Sequence, residues 1–261
     1  MKPSIVQAVC FATHLAACST ELKSHITELD SRELEVVTAG SGSATVVFEA
    51  GLGDDWKRWD AVASEVAHHT RVFAYSRPGY GASQSAETVR DPSHIVEELR
   101  ALLRSEQRLP PYVLVGHSTG GGYMELFAKA HPEELLGVVL VDPRHRDFLT
   151  QWTTAGLTGC GIPESALTGM PAVEQNEYRE YSTAAQAIAA AGPFGNYPVR
   201  VLTATNHPAS VEWESLWESM LGSLAAEALQ GKKITFEGAS HYLQLDRPRE
   251  VAQNIIELLP R

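Results

Sequence analysis

Short apolar runs alternate with amphipathic stretches over most of the chain. Six of these runs are nearly unbroken, rich in Val and too short to be typical helices. Parallel strands buried on both faces have this pattern, whereas half-exposed antiparallel strands alternate apolar and polar residues. Before them, "HITELDS" and "LEVVTAGSGS" predict an antiparallel opening pair. The six runs are Thr45–Ala50, Arg71–Ser76, Tyr112–Gly116, Gly137–Asp142, Val199–Ala204 and Lys233–Gly238.

Helical patterns lie between the predicted strands. Asp91 and Pro92 form a typical helix start, and the apolar residues that follow fall on one helix face. A second helix follows Ser118 and ends at Pro132, and a last apolar stripe begins at Val251. Strands that alternate with helices imply right-handed crossovers and a sheet covered on both faces. We therefore predict an α/β fold with a mainly parallel, doubly wound sheet of about eight strands.

Residues 143–197 interrupt this alternation because they contain no convincing strand. Their first part is broken by Gly and Pro, and "VEQNEYREYSTAAQAIAAAG" then looks helical. An insertion of this length is too long for a plain loop. We predict a small helical cap at about 143–197, inserted into a domain that spans residues 21–261.

The first 20 residues have a different character. They begin with Lys2 and a mostly apolar run and end in small residues, which is the layout of a secretory signal. The segment "LAAC", Leu15 to Cys18, resembles the lipobox of bacterial lipoproteins, in which the cysteine is lipidated and becomes the new N-terminus. The segment predicts an exported protein with a lipid anchor at Cys18. Polar residues within the apolar run leave a cytoplasmic protein as the alternative.

Composition narrows the function classes further. The formal net charge of −11 argues against nucleic acid, because binding to phosphates needs clustered Lys and Arg. No stretch reaches the roughly 18 apolar residues of a membrane-spanning helix. The three cysteines, Cys10, Cys18 and Cys160, have neither the spacing of a disulfide framework nor that of a metal site.

One serine stands between a predicted strand and a predicted helix. Ser118 lies in "GHSTG", with Gly116 and Gly120 two positions away on either side. A serine attacks only when a base takes its proton and the resulting oxyanion is stabilised. A tight turn between a buried strand and a helix exposes the serine and leaves main-chain N–H groups free. The alternative is a glycine-rich turn with a helix-capping serine, but the strand and helix around Ser118 favour a nucleophile.

These motifs resemble those of the α/β-hydrolase family from about residue 25 to the end. "GHSTG" is similar to the family's nucleophile elbow, "FEAGLGDDWKRW" to its loop after the third strand, "SRPGYGAS" to its Asp-Arg-x-Gly-x-Gly-x-Ser segment, and "GASHYLQLDRP" to its terminal histidine loop. Ala50 and Ser76 replace the usual histidine and aspartate of two of these segments. The resemblance implies an oxyanion hole made by the main-chain N–H groups of Leu52 and Thr119. It implies no metal and no cofactor.

His241 is the predicted base. It follows an apolar run on a short loop before Pro248 begins the final helix. The order serine, acid, histidine along the chain is the order that the family uses. His117 is adjacent to the serine but would project away from it into the packing of the turn.

The predicted acid that pairs with His241 lies at a different position from that in many family members. Many family members carry Asp after the strand that here reads Val199–Ala204, but this chain continues "TNHPASVEWE" without one. Asp142 ends the preceding apolar run, at the sheet edge where parallel strands gather a site. We predict that its carboxylate lies about 2.6–3.2 Å from the ring of His241 and stabilises the imidazolium. The alternatives are Glu212 or Glu214 as the acid, with Asp142 only capping a turn.

Together these residues predict a serine hydrolase that cleaves a small carboxylic ester through an acyl-enzyme intermediate. The partner is then a small-molecule acyl substrate. The same three side chains would serve for a lactone, a peptide or a carbon–carbon bond, and the cap and pocket decide among them. A non-catalytic ligand-binding module on the same fold is the alternative from a different class.

Overall fold

The computed structural model describes residues 20–157 and 161–260. The predicted leader and Cys18 lie outside the described residues, so export and lipidation stay predictions. In the described part of the chain, no helix combines the length and the apolar character needed to cross a membrane.

The described residues form one sheet of eight strands. The strands are β1 Lys23–Leu29, β2 Arg32–Ala39, β3 Thr45–Glu49, β4 Arg71–Tyr75, β5 Tyr112–His117, β6 Leu135–Val141, β7 Pro198–Ala204 and β8 Gln230–Phe236. Their spatial order is β1-β2-β4-β3-β5-β6-β7-β8. The pairs β1–β2 and β2–β4 are antiparallel, and the others are parallel. The prediction of a mainly parallel sheet is therefore confirmed.

Helices cover both faces of this sheet, as a doubly wound fold requires. Leu99 and Tyr123 belong to the apolar cluster on one face, and Val62 and Val251 belong to the cluster on the other. The α-helices of the described residues are α1 Asp60–Val66, α2 Pro92–Ser105, α3 Thr119–Ala130, α4 Phe148–Thr154, α5 Glu164–Leu167, α6 Ala172–Glu180, α7 Ala184–Ala191, α8 Val211–Ala226, α9 Leu243–Asp246 and α10 Pro248–Ile256.

Between β6 and β7, the described residues form helices and no strand. The stretch predicted as helical is divided, because a 3₁₀ turn at Tyr181–Thr183 separates α6 from α7. Tyr181 is buried at this break, and its hydroxyl donates to the main-chain oxygen of Arg144 (2.5 Å). A Cβ on Gly122 of α3 would lie 2.0 Å from the Tyr181 hydroxyl. The described part of the predicted cap therefore packs, at Tyr181, directly on the helix that follows Ser118.

Candidate active site

Ser118 lies in a strained turn between β5 and α3. Its backbone angles are φ 52° and ψ −122°, a conformation that costs a residue with a side chain on the order of 1–3 kcal/mol. Its N–H donates to the carbonyl of Val141 (3.2 Å), and its own carbonyl accepts from the N–H of Arg144 (2.9 Å). Gly116 allows the close approach of α3, because a Cβ there would lie 2.5 Å from the Gly120 carbonyl oxygen. The neighbouring strand β6 and the turn after it hold the strained conformation in place.

Ser118 opens onto a cavity of about 610 Å³. Leu52, Thr119 and His241 border the same cavity, so the structure brings these predicted site residues together. No direct hydrogen bond joins the side chains of Ser118 and His241 among the described residues. Such bonds are often long without substrate and shorten when it binds.

The main-chain N–H groups of Leu52 and Thr119 are open to a ligand. Neither of them donates a hydrogen bond to another described residue. Thr119 is the first residue of α3, where the helix leaves its N–H groups without internal partners. The loop after β3 packs tightly against the serine, since a Cβ on Gly51 would lie 3.3 Å from the Cβ of Ser118. The loop that carries Leu52 and the start of α3 therefore both adjoin the serine, where an oxyanion site requires its donors.

A buried arginine holds the loop after β3. Arg77 donates to the main-chain oxygens of Ala50 (2.7 Å) and Gly51 (2.8 Å). The same guanidinium pairs with Glu49 at the end of β3 (Nη1–Oε1, 2.5 Å) and with Glu177 on α6 (Nη2–Oε2, 3.0 Å). We call Arg77, Glu49 and Glu177 the Arg77 cluster. It ties the loop with the predicted oxyanion donor to the cap.

The Asp142 carboxylate is fully buried behind the ring of His241. Its Oδ2 lies 2.6 Å from Nδ1 of His241 and 2.7 Å from Nε2 of His207. Its Oδ1 accepts from the N–H of Ala204 (3.1 Å) and from the indole of Trp217 (3.1 Å). The distance to His241 falls within the range predicted from the sequence. Four donors thus fix the carboxylate in one orientation.

His207 extends this arrangement to a second carboxylate. Its Nδ1 lies 2.9 Å and 3.0 Å from the two carboxylate oxygens of Glu214, and its main-chain N–H also donates to Glu214 (2.7 Å). Because both ring nitrogens face carboxylate oxygens, the arrangement favours a doubly protonated imidazolium. We call Asp142, His207, His241 and Glu214 the Asp142 cluster.

The charges of this cluster shift two pKa values in opposite directions. Burial by itself would raise the pKa of Asp142, but the hydrogen bonds from His207 and His241 outweigh it and hold that pKa well below its usual range. Burial would lower the pKa of His207, but the bonds and charges of Asp142 and Glu214 raise it. Asp142 is therefore ionised throughout the neutral range.

His117 holds the loop that carries His241 through a hydrogen bond to its backbone. Its Nε2 lies 2.9 Å from the main-chain oxygen of His241. Burial, assisted by the charge of His241, lowers the pKa of His117 to about 3, so its neutral ring donates from Nε2 to that carbonyl. His117 is buried and does not border the cavity, in agreement with its predicted direction.

The structure separates the alternative acids from His241. Glu214 bonds to His207, and Glu212 is exposed on α8. His207 is not among the site residues predicted from the sequence, where "TNHPAS" indicates only the absence of an Asp. A histidine three residues after β7, with a glutamate seven positions later on a helix, is the signal that could have indicated it.

Asp142, His207 and His241 also have the residue types of a metal site. Their contacts of 2.6 Å and 2.7 Å are hydrogen-bond distances. Ligands around a tetrahedral zinc ion, at about 2.0–2.1 Å from it, lie about 3.3 Å apart. The spacing therefore fits shared protons better than a shared ion.

A sequence model described as the alpha/beta hydrolase family matches residues 46–254. The chain belongs to the α/β-hydrolase family. This membership agrees with the sheet order, the turn at Ser118 and the position of His241 after β8.

Several known proteins are similar to this hydrolase. An uncharacterized protein of Bacillus subtilis (strain 168), YqjL, is 28% identical over 215 residues, which cover 81% of this chain and 82% of that protein. The epoxide hydrolase VrEH1 from Vigna radiata superposes with a TM-score of 0.69 at 15% identity, over 91% of this chain and 97% of that one. A bacterial membrane phospholipase A gives 0.64 at 18% identity, over 92% and 86%. At these identities the two solved structures show the shared fold alone.

Proposed function

We propose that this α/β-hydrolase is a serine esterase that cleaves a small carboxylic ester through an acyl-enzyme intermediate. The observation that carries the proposal is the 2.6 Å contact between Asp142 Oδ2 and His241 Nδ1, beside a serine in a strained turn. This contact uses one ring nitrogen of His241 and leaves Nε2 as the base for the Ser118 hydroxyl.

In the first half of the reaction, Ser118 Oγ attacks the ester carbonyl while His241 Nε2 takes the hydroxyl proton. The main-chain N–H groups of Leu52 and Thr119 stabilise the negative charge that develops on the carbonyl oxygen. The imidazolium of His241 then gives its proton to the departing alcohol, and the acyl group stays on Ser118. In the second half, water attacks the acyl-enzyme by the same steps and releases the acid.

The buried Asp142 carboxylate assists both halves of the reaction. Asp142 holds His241 in the tautomer with its proton on Nδ1 and stabilises the imidazolium. His207 and Trp217 hold Asp142 in turn, so its orientation does not depend on His241 alone. The Arg77 cluster positions the loop that carries Leu52.

The names of the structural relatives cover both epoxides and esters, and the residue at position 118 favours esters. A serine that opens an epoxide forms an ether, which has no carbonyl for water to attack, so the enzyme would be consumed after one turnover. An acyl-serine is an ester, which water hydrolyses by the mechanism that formed it. Ser118 therefore favours ester cleavage over epoxide opening.

The test combines a fluorophosphonate probe with a panel of 4-nitrophenyl esters of increasing acyl length. We expect Ser118→Ala to lose labelling and to lower turnover by several powers of ten, because the nucleophile is removed. Ser223→Ala, an exposed serine on α8, is the matched control and should behave as the parent protein. Unfolding midpoints of the three proteins verify that the fold is intact.

Two outcomes would contradict the proposal. Substantial hydrolysis by a folded Ser118→Ala variant would remove Ser118 from the mechanism. A parent protein that neither reacts with the probe nor cleaves any ester would favour the non-catalytic binding module.

A further inference from the structure

Among the described residues that border the cavity, the cation of Arg144 has no counter-ion. Arg144 follows Asp142 by two residues, and its N–H donates to the carbonyl of Ser118 (2.9 Å), which places it beside the nucleophile. Arg144 borders the cavity. The guanidinium lies over the rings of Tyr178 (4.9 Å to the centroid) and Tyr181 (4.4 Å), both of which belong to the cap.

The charge of Arg144 is unpaired within the described structure. Its guanidinium makes no ion pair and no hydrogen bond to any described residue. In contrast, Arg146 pairs with Glu125 and Glu227, and Arg77 pairs with two buried glutamates. Residues 1–19 and 158–160 contain no Asp or Glu, so they hold no side-chain carboxylate for Arg144. Exposed arginines such as Arg249 also lack an ion pair among the described residues, but Arg144 is half-buried beside the cavity.

The surroundings of Arg144 strengthen its attraction for an anion. The described residues that border the cavity include no Asp, Glu or Lys, and many are apolar or aromatic, such as Phe148, Trp213 and Ile162. Charges interact more strongly beside such a surface than in open water. The two tyrosine rings restrict the guanidinium and leave its planar N–H groups to form two parallel hydrogen bonds.

We infer that Arg144 is an anion-binding subsite and that the substrate is an apolar ester which also carries a carboxylate. The inference rests on the proposed esterase function and adds the class of ester to it. A carboxylate matches one guanidinium in both charge and geometry. A phosphate monoester carries up to two charges, and Arg144 is the only Arg or Lys among the described residues that border the cavity. The carboxylate is therefore the better match.

The experiment compares esters that differ only in the charged group. One pair places it on the acyl half: mono-(4-nitrophenyl) suberate against 4-nitrophenyl octanoate. The other places it on the alcohol half: 4-acetoxybenzoate against its methyl ester. We expect the parent enzyme to prefer the acidic member of at least one pair by tenfold or more in kcat/KM. We expect Arg144→Gln to reduce that ratio at least tenfold, mainly through KM, and Arg144→Lys to retain part of it. Arg249→Gln, at an exposed arginine, should leave the ratio unchanged.

A binding measurement covers the case in which none of these esters is turned over. Titration calorimetry on Ser118→Ala would compare monomethyl suberate with dimethyl suberate, with octyl phosphate as a third ligand. We expect the monoacid to bind at least tenfold more tightly than the diester, and the additional Arg144→Gln change to abolish the difference. Tighter binding of octyl phosphate would overturn the assignment of a carboxylate.

The failure of this inference is distinguishable from the failure of the esterase proposal. Equal kcat/KM within both ester pairs, or a preference that Arg144→Gln retains, would overturn the anion subsite while ester cleavage and fluorophosphonate labelling continue. The esterase proposal fails only if the probe does not label the protein and the neutral esters are not cleaved either.

Discussion

Two ionic clusters with buried centres hold the residues around Ser118, and these centres carry opposite charges. The centre of the Asp142 cluster is a carboxylate between two imidazole rings, side chains that can accept and release a proton. The centre of the Arg77 cluster is a guanidinium, which stays charged at any pH that a protein meets. The Asp142 cluster reaches the cavity through His207 and His241, whereas every member of the Arg77 cluster is buried. The Asp142 cluster therefore serves proton transfer, whereas the Arg77 cluster supports the backbone of the loop after β3.

The largest effect is expected at the centre of the Asp142 cluster. Asp142→Asn keeps the shape but removes the charge that stabilises the imidazolium of His241. We expect turnover to fall on the order of 10⁴-fold, while the unfolding midpoint changes much less. Steady-state kinetics on an activated ester and the rate of fluorophosphonate labelling measure the loss. An Asp142→Asn variant with near-parental turnover would show that Asp142 only caps a turn.

The next effect is one of stability and concerns the Arg77 cluster. Arg77→Met leaves Glu49 without its cation and Glu177 with only the more distant Arg90 (3.9 Å), and we expect the free energy of unfolding to fall by about 3–5 kcal/mol. Burial already raises the pKa of Glu49, so this carboxylate should take up a proton in the variant, and the loss should be smaller at pH 5 than at pH 8. Urea unfolding at the two pH values tests both statements.

Arg179, an exposed arginine, provides the control for Arg77→Met. Arg179→Met breaks the exposed pair with Glu164 and should cost at most about 1 kcal/mol. Equal losses in the two variants would mean that burial of the Arg77 cluster has no energetic consequence.

A smaller effect is expected at His207. His207→Phe removes a charged donor from Asp142, which should lower turnover about 10- to 100-fold. Because a cation beside Asp142 is lost, the carboxylate should hold the imidazolium of His241 more strongly, and the acidic limb of the pH–rate profile should move to higher pH. His207→Gln retains a donor and should recover part of the rate. A rate loss with an unmoved pH profile would indicate a merely structural role.

The smallest effect is a pH dependence of stability. The folded pKa of His207 lies above its unfolded value of about 6.5. Its ionic contribution is therefore fully present below pH 6.5 or so and is lost as the pH rises through the folded pKa. The difference in unfolding free energy between the parent protein and His207→Gln should be larger at pH 6 than at pH 9. A difference that is constant with pH would mean that His207 is not held as an imidazolium.

The parts of this molecule that could be predicted from the sequence are those with a local pattern. Continuous apolar runs predicted the parallel strands, and the turn between strand and helix singled out Ser118. The position of Asp142 followed from topology, because parallel strands end at one edge of a sheet. Even there, the start of β8 was missed, since Gln230 and Lys232 are exposed and polar.

The residues that could not be predicted depend on contacts between distant parts of the chain. Arg77 and Glu177 are 100 positions apart, and no periodicity relates them. Ser76 looked like a lost carboxylate in its motif, yet its hydroxyl donates to Glu35 of β2 (2.8 Å), which brings a carboxylate to that place. Arg144 lies in a turn, where only the three-dimensional structure shows that it borders the cavity without a counter-ion.

The Arg77 cluster has a consequence for protein engineering. Since Glu177 on α6 neutralises the same guanidinium that holds the carbonyls of Ala50 and Gly51, the cap is not an exchangeable module. A cap grafted from another family member must bring a carboxylate to the position of Glu177, or it will disturb a loop in a different part of the chain. Libraries that aim at new substrates should therefore randomise the cap residues that border the cavity and leave this one glutamate unchanged.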